Sequence, residues 1–385
     1  MYKRNLVFAA ACIGMLLFGI VFLSLGTVST FLQDKFNLDA LTAASLASSL
    51  PFGMLLGSVV FGPVVDRFGY KILLIVCGVV IMAALEAIAF ADSLFILQLS
   101  FFFIGFGGGA INGGTNALAS DIFSDEKGAK LSLLGVFFGI GALGMPVVIG
   151  SLSAVYSYET IISAIGLFVL LPVIYFIVVK FPQPKITQGF PLKESLGLVK
   201  ETTLILMGLV LFFESGLEGM IGNWTTSYLK EVNMTTENAL YALSLQVAAL
   251  SVTRLILSQL LKKVRSEIVL YVSYAILFAG AAVLLSATSF EQAALAMILF
   301  GIGTAANFPV ILGYVGEMYA HLSGTAFSVV IVLALIGNTI LNFLVGTLSG
   351  SFGIRQFPVL LMISVVLMTL VLYIVLGKRK AAAKV

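Results

Sequence analysis

The stretch Leu211 to Leu229, LFFESGLEGMIGNWTTSYL, sets the class of the whole chain. It reads as an apolar helix that carries Glu214 and Glu218 four residues apart, and therefore on one face, with Asn223, Trp224 and Tyr228 a turn and more beyond. In hydrocarbon a charged side chain costs about 2.5 to 3.5 kcal/mol even on the mild insertion scale, so membrane segments avoid it. Two acids on one stripe of such a helix predict an interior face within reach of water.

The surrounding composition agrees. A chain of 385 residues that is 60% hydrophobic and 10% charged does not fold as a soluble protein around one core, and an all-α membrane protein is expected. Apolar runs near twenty residues cross about 30 Å of hydrocarbon. Twelve are found, at 5–32, 41–65, 72–91, 94–120, 130–155, 159–179, 203–229, 239–261, 267–288, 292–315, 325–350 and 354–377. Their connections are short except for Lys180 to Thr202, which holds Pro182, Pro184 and Pro191 with four lysines and reads as a linker. The expected organisation is an N-terminal six-helix bundle at 1–180, a linker at 181–202 and a C-terminal six-helix bundle at 203–385.

Charge placement gives orientation. One side collects Lys3, Arg4, Arg67, Lys71, Lys127, Lys130, Lys262, Lys263, Arg265, Lys378, Arg379, Lys380 and the linker lysines, and the other keeps Lys35, Lys230 and Arg355. The positive-inside rule then puts both termini and the linker in the cytoplasm. The net charge of +3 carries no signal for nucleic acid. Cys12 and Cys77 lie in apolar helices, and with one His the chain suggests neither a disulfide framework nor a metal site. The first run is too long for a signal-peptide core and is expected to be retained.

The halves repeat. At a constant offset of 196, Gly105 matches Gly301, Gly107 matches Gly303, Asp121 matches Glu317, Gly128 matches Gly324, Gly141 matches Gly337 and Gly150 matches Gly346. A parallel repeat of six-span halves places a site near the membrane midplane, between the halves.

Between the second and third runs stands GPVVDRFGYK, residues 62–71. With the repeat, this stretch resembles the signature of the major facilitator superfamily, which has Gly, Asp-Arg, a second Gly and basic residues at these places. Tyr70 departs from the usual Arg. Gly62 permits close helix approach and Gly69 a tight turn. The resemblance implies gating roles for Asp66, Arg67, Asp121, Arg254 and Glu317, with Asp121 placed to pair with Arg67 and Glu317 with Arg254. It also implies alternating access in a bacterial inner membrane, with no cofactor and a monomer as the working unit. Within that family, the glycine-rich run FIGFGGGAINGGTNALASDIF, the run LLGVFFGIGALGMPVVIG and the spacing of Glu218 and Trp224 look similar to the fucose permease-like sugar:proton symporters. The expected acids of the first and fourth spans are missing here, and Asn112 stands in the fourth.

Asn112, Asn116, Gln246, Asn307, Asn338 and Asn342 lie inside spans, where amides suit hydroxyls and demand no ionic substrate. The bland alternative is hydrogen bonding between helices, worth about 0.6 to 2 kcal/mol each. With Asn223, Glu218 and the ring of Trp224, which suits a sugar C–H face, they make a candidate site for a neutral polyol or sugar. Glu214 and Glu218 are the proton-coupling candidates, as a pair able to share one proton and titrate as a unit. The alternatives are that one of them accepts hydrogen bonds from substrate hydroxyls, or that it is a structural acid paired with an interior donor. Glu86 is a weaker candidate, close enough to the outer side to snorkel, and His321 reads as a solvated loop residue. Sugar symport with protons is the leading expectation. Export of amphipathic compounds and a non-transporting sugar sensor are the alternatives, and no nucleophile, base and orienting set suggests an enzyme.

Overall fold

The computed structural model describes residues 2–36, 40–123, 126–185 and 197–382. Among these residues the structure is helical with no strand, as hydrocarbon requires of backbone groups that have no water to bond. The helices are α1 Arg4–Phe36, α2 Ala40–Phe68, α3 Tyr70–Ala89, α4 Leu94–Ile122, α5 Lys127–Leu152, α6 Tyr158–Phe168 and α7 Leu170–Val178. They continue as α8 Thr202–Glu231, α9 Thr236–Leu260, α10 Ser266–Leu285, α11 Phe290–Thr304, α12 Asn307–Met318, α13 Ser323–Phe352 and α14 Phe357–Ala382. Twelve spans long and apolar enough to cross a membrane result among the described residues, matching the apolar runs. Of the expected linker, residues 186–196, with Pro191 and Lys193, lie outside the described residues.

Two runs that read as single spans are broken. One divides at Val169 and the other at Ala305 and Ala306. A proline follows each break and lacks the N–H that would bond four residues back, although α2 and α5 continue over Pro51, Pro63 and Pro146. Pro172 leaves the Phe168 carbonyl without that donor, and Pro309 does the same to Ala305. The repeat partner of Pro309 is Gly113, and α4 runs through that point unbroken. Elsewhere the ends are conventional: Ser157, Thr235 and Ser289 cap α6, α9 and α11 by accepting from Thr160, Asn238 and Gln292 N–H groups. Gly69, at φ 83°, makes the turn from α2 to α3 in a region that favours glycine.

The chain groups into two compact units. The first takes Met1–Ile122, Leu134–Leu196 and Tyr319–Ser328, and the second takes Phe123–Leu133, Gly197–Met318 and Val329–Val385. Within the first, α4 packs against α1, α2 and α3; within the second, α11 packs against α9 and α10, and α8 against α14.

The repeat is visible in these contacts, atom for atom. A methyl group added at Gly105 would strike the Leu50 carbonyl oxygen, and one at Gly301 the Gln246 carbonyl. Gly107 faces the Cys77 carbonyl and Gly303 the Ser273 carbonyl; Gly141 faces Leu16 and Gly337 faces Phe212 in the same way. In all three pairs the carbonyl is displaced by the same 196 residues as the glycine. Two serines repeat the pattern: in the first unit Ser328 Oγ donates to the Ser58 carbonyl, and in the second Ser132 Oγ donates to the Arg254 carbonyl at 2.7 Å. The halves therefore share a backbone arrangement, whatever their side chains.

Forcing a side chain against these carbonyls should be costly, since overpacking costs about 1 to 3 kcal/mol. Gly141→Val and Gly337→Val are each expected to lower the melting temperature of the detergent-solubilised protein. Gly222→Ala, whose added methyl would meet nothing within 4 Å, should not. Unchanged melting in both valine variants contradicts the packing described.

Candidate functional site

In the second unit, α8 carries its acids and amide partners on different levels. Glu214 is 0% exposed, and neither of its carboxylate oxygens has a hydrogen-bond partner among the described residues. One turn on, Glu218 Oε1 lies 3.7 Å from Arg254 Nη2 of α9. This corrects the expected pairing of Arg254 with Glu317. Counting turns from the end of its helix placed Arg254 near the polar side, but its azimuth aims the guanidinium at α8. Glu317 pairs instead with Arg379 at 2.7 Å, and that guanidinium stands 3.9 Å over the Tyr314 ring.

Above the acids, α8 meets α13. Asn338 Nδ2 donates to the Ser215 carbonyl at 2.8 Å, so part of this amide acts between helices. Asn342 Oδ1 accepts from both Asn223 Nδ2 at 2.9 Å and Trp224 Nε1 at 3.1 Å, while its own Nδ2 donates to the Asn338 carbonyl at 2.8 Å. Gly219 makes the approach possible, because a methyl there would come within 2.6 Å of Asn338 Nδ2. The edge of the Trp224 ring lies over Gly346, another of the repeated glycines. Four of the expected binding residues thus form one connected cluster, Asn223 and Trp224 on the helix that holds the acids and Asn338 and Asn342 on α13.

The other amides have their own surroundings. Gln246 is buried on α9, its backbone carbonyl seated against Gly301. Asn307 is 0% exposed at the start of α12, and neither side-chain polar atom has a partner among the described residues. Tyr274 of α10, which sequence reasoning did not select, is also buried with an unpartnered hydroxyl and interacts electrostatically with Glu214. In the first unit Asn116 Nδ2 donates to the Asn112 carbonyl at 2.8 Å and to its Oδ1 at 3.1 Å, so these two amides form a pair of their own.

Glu86 does not snorkel. Its Oε2 accepts from Ser163 of α6 at 2.7 Å, and its Oε1 is buried near Gly166, which leaves room for it. His321 is exposed, as expected.

The gating residues of the first unit are tightly bound. Asp66, 0% exposed, accepts from the backbone N–H groups of Gly324 at 3.3 Å and Thr325 at 2.9 Å and from Thr325 Oγ1 at 2.8 Å. A carboxylate at the start of α13 satisfies donors that have no intrahelical partner and suits the helix dipole. Asp121 does not use Arg67. It pairs with Lys185 Nζ at 2.8 Å and accepts from Ser323 Oγ at 2.8 Å and from the Tyr70 hydroxyl. Tyr70, the departure from the familiar motif, is buried and gives its hydroxyl to the Asp121 carboxylate, whose remaining acceptor capacity is used by Lys185 and Ser323. Arg67 lies 5.6 Å over the Phe68 ring instead. Lys185 lies in the linker and Arg379 in the basic last turns of α14, where apolar periodicity gives no face. They stand 194 residues apart, two short of the repeat offset, each serving the acid that ends the fourth span of its half.

Comparison with known proteins places this architecture. The family model described as Major Facilitator Superfamily matches residues 8–340. The multi-drug resistance efflux pump PmrA of Streptococcus pneumoniae serotype 4 is 24% identical over 269 residues, covering 68% of this chain and 67% of the pump. The uncharacterized MFS-type transporter YfkL of Bacillus subtilis is 23% identical over 354 residues, covering 88% of this chain and 87% of that one. A crystal structure of FucP in the outward conformation superposes with a TM-score of 0.82 at 18% identity, covering 96% of this chain and 98% of that one. At that identity the likeness speaks for the fold alone. The chain belongs to the Major Facilitator Superfamily and is an integral, multi-pass membrane transporter.

Proposed function

We propose that the protein moves a small neutral polar solute, a sugar, into a bacterial cell by proton symport. It works as a monomer in the inner membrane, with both termini and the linker in the cytoplasm. The bundles at 1–180 and 203–385 are the bodies that rock about the site. The observation that carries the reading is that one helix holds both chemistries: Glu214 and Glu218 on α8 stand within three turns of Asn223 and Trp224, which converge on Asn342. Uncharged amides match hydroxyls, and an indole suits a pyranose face. Asn112 and Asn116 contribute from the first half, and Asp66, Asp121 and Glu317 hold contacts that form and break with the cycle. FucP, described as the E. coli fucose:proton symporter, lends the fold a precedent for this chemistry.

A second reading, proton-driven export of drugs or other amphipathic compounds, is favoured by the likeness to PmrA. Raised resistance to lipophilic cations in an expressing strain, with no sugar accumulation, would select it.

Labelled hexose or 6-deoxyhexose is expected to accumulate in proteoliposomes above its external concentration when an inward proton gradient is imposed. The double variant Glu214→Gln/Glu218→Gln should lose this accumulation; if it persists, the coupling assignment is wrong. A sugar that binds the folded protein should also raise its melting temperature by mass action. Asn342→Ala, which removes the acceptor shared by Asn223 and Trp224, should shrink that rise severalfold at a fixed sugar concentration. An undiminished rise would remove the amide cluster from the site.

A further inference from the structure

We propose that Arg254 divides the two glutamates of α8 between two tasks, holding Glu218 as a standing counter-ion and leaving Glu214 to take up and release the coupled proton. The proposal rests on the proton-symport reading and sharpens it, since that reading treats the acids as equivalent.

The repeat provides an internal control. The positions matching Glu214, Glu218 and Arg254 at the 196 offset are Phe18, Phe22 and Ser58. There the fold is satisfied by apolar packing: the Phe18 ring lies 6.0 Å from Phe22 and 5.2 Å from Phe138, centroid to centroid. The backbone is held alike in both halves, because the carbonyls of Ser58 and Arg254 each accept from the matching serine of the fifth or eleventh span. The same scaffold stands without charges in one half, so architecture does not require the charges in the other.

Two carboxylates and one guanidinium sum to a single negative charge when all are ionised, and one proton makes the group neutral. Glu214 is fully buried, whereas the Glu218 side chain is 28% exposed; the neutral sum is favoured chiefly through Glu214, because an uncompensated charge away from water is expensive. Geometry distinguishes the two acids. Glu218 has the cation, at 3.7 Å. Glu214 is 0% exposed, and neither of its oxygens has a hydrogen-bond partner among the described residues. The charged and titratable groups that reach it are Glu218 on its own helix, Arg254 on α9 and the Tyr274 phenol on α10, which faces Tyr271 and Tyr314 in turn. A proton on Glu214 removes the like charge from beside Glu218 and leaves the Glu218–Arg254 pair intact. Placed on Glu218, the same proton would strand Glu214 as an unpaired buried anion. The Tyr274 hydroxyl makes no hydrogen bond to Glu214 among the described residues and reaches it only electrostatically, so it gives the Glu214 carboxylate no counter-charge.

The two acids interact, so a titration curve alone belongs to the pair and variants must make the assignment. Infrared difference spectra of the purified protein, recorded on a pH step without any solute, read protonated carboxyl groups directly. With Glu86→Gln as the common background, which removes the carboxyl buried on α3, the otherwise unaltered protein should show one titrating carboxyl within the membrane. Its band should vanish in Glu214→Gln and persist in Glu218→Gln/Arg254→Gln, which removes the counter-ion pair as a unit. Arg254→Gln alone should add a second titrating carboxyl, and Arg254→Lys should restore one. Each variant is first checked for an intact melting transition, so loss of the fold is not mistaken for loss of the band. A band that survives Glu214→Gln, or a count unchanged by Arg254→Gln, overturns the division of tasks while leaving proton coupling standing. No titrating carboxyl in the otherwise unaltered background overturns both. Failure of the sugar reading affects neither result, because no sugar is present.

Discussion

Backbone carbonyls seated directly on glycines are the constraint from which the rest of this structure follows. In hydrocarbon there is little hydrophobic force to bring helices together, so close van der Waals approach must do it, and only a residue without Cβ permits that approach. The contacts of Gly105 with Leu50, Gly107 with Cys77 and Gly141 with Leu16 recur 196 residues on as Gly301 with Gln246, Gly303 with Ser273 and Gly337 with Phe212. Because these contacts involve main chain on one side and no side chain on the other, the remaining positions of each helix can diverge without disturbing the frame.

They have diverged in one direction. The first half fills the repeated positions of its opening helix with Phe18 and Phe22, while the second places Glu214 and Glu218 there and Arg254 opposite. Removing one member of a buried ion pair costs about 3 to 5 kcal/mol, whereas replacing the whole set by well-packed apolar residues is often neutral. A chain under selection for stability alone would have used phenylalanine twice. The charged set is kept in one half, its acids on the helix whose Asn223 and Trp224 join Asn342, on a frame common to both halves.

Much of this was legible before any coordinates. Span number, span length and the repeat follow from apolar periodicity and glycine spacing, which are dictated by bilayer thickness and helix contact. The two helix breaks stand just before Pro172 and Pro309, but prolines also lie inside the unbroken α2 and α5, and hydropathy averages over them all. Side-chain partners were not legible. Position along a helix gives the membrane side but not the azimuth, so it suggests Glu317 for Arg254 and Arg67 for Asp121, whereas the structure gives Glu218 and Lys185, the latter reaching Asp121 from a linker without periodic signal. Of the amides expected inside spans, Asn116, Gln246 and Asn307 are buried and Asn112, Asn338 and Asn342 partly exposed, and their division into the Asn338 and Asn342 cluster, the Asn112 and Asn116 pair and Asn307 depends on packing that spacing does not encode.

The central claim is that solute movement is tied to a proton carried by the second half. The most direct measurement is the zero-flux point in proteoliposomes clamped at known pH gradient and membrane potential, the ratio of inside to outside labelled sugar at which net movement stops. The account predicts that this point moves with both the pH gradient and the potential, as one proton per sugar requires, and that in Glu214→Gln it follows neither. A zero-flux point at equal concentrations in the wild type, whatever the gradient imposed, would contradict it.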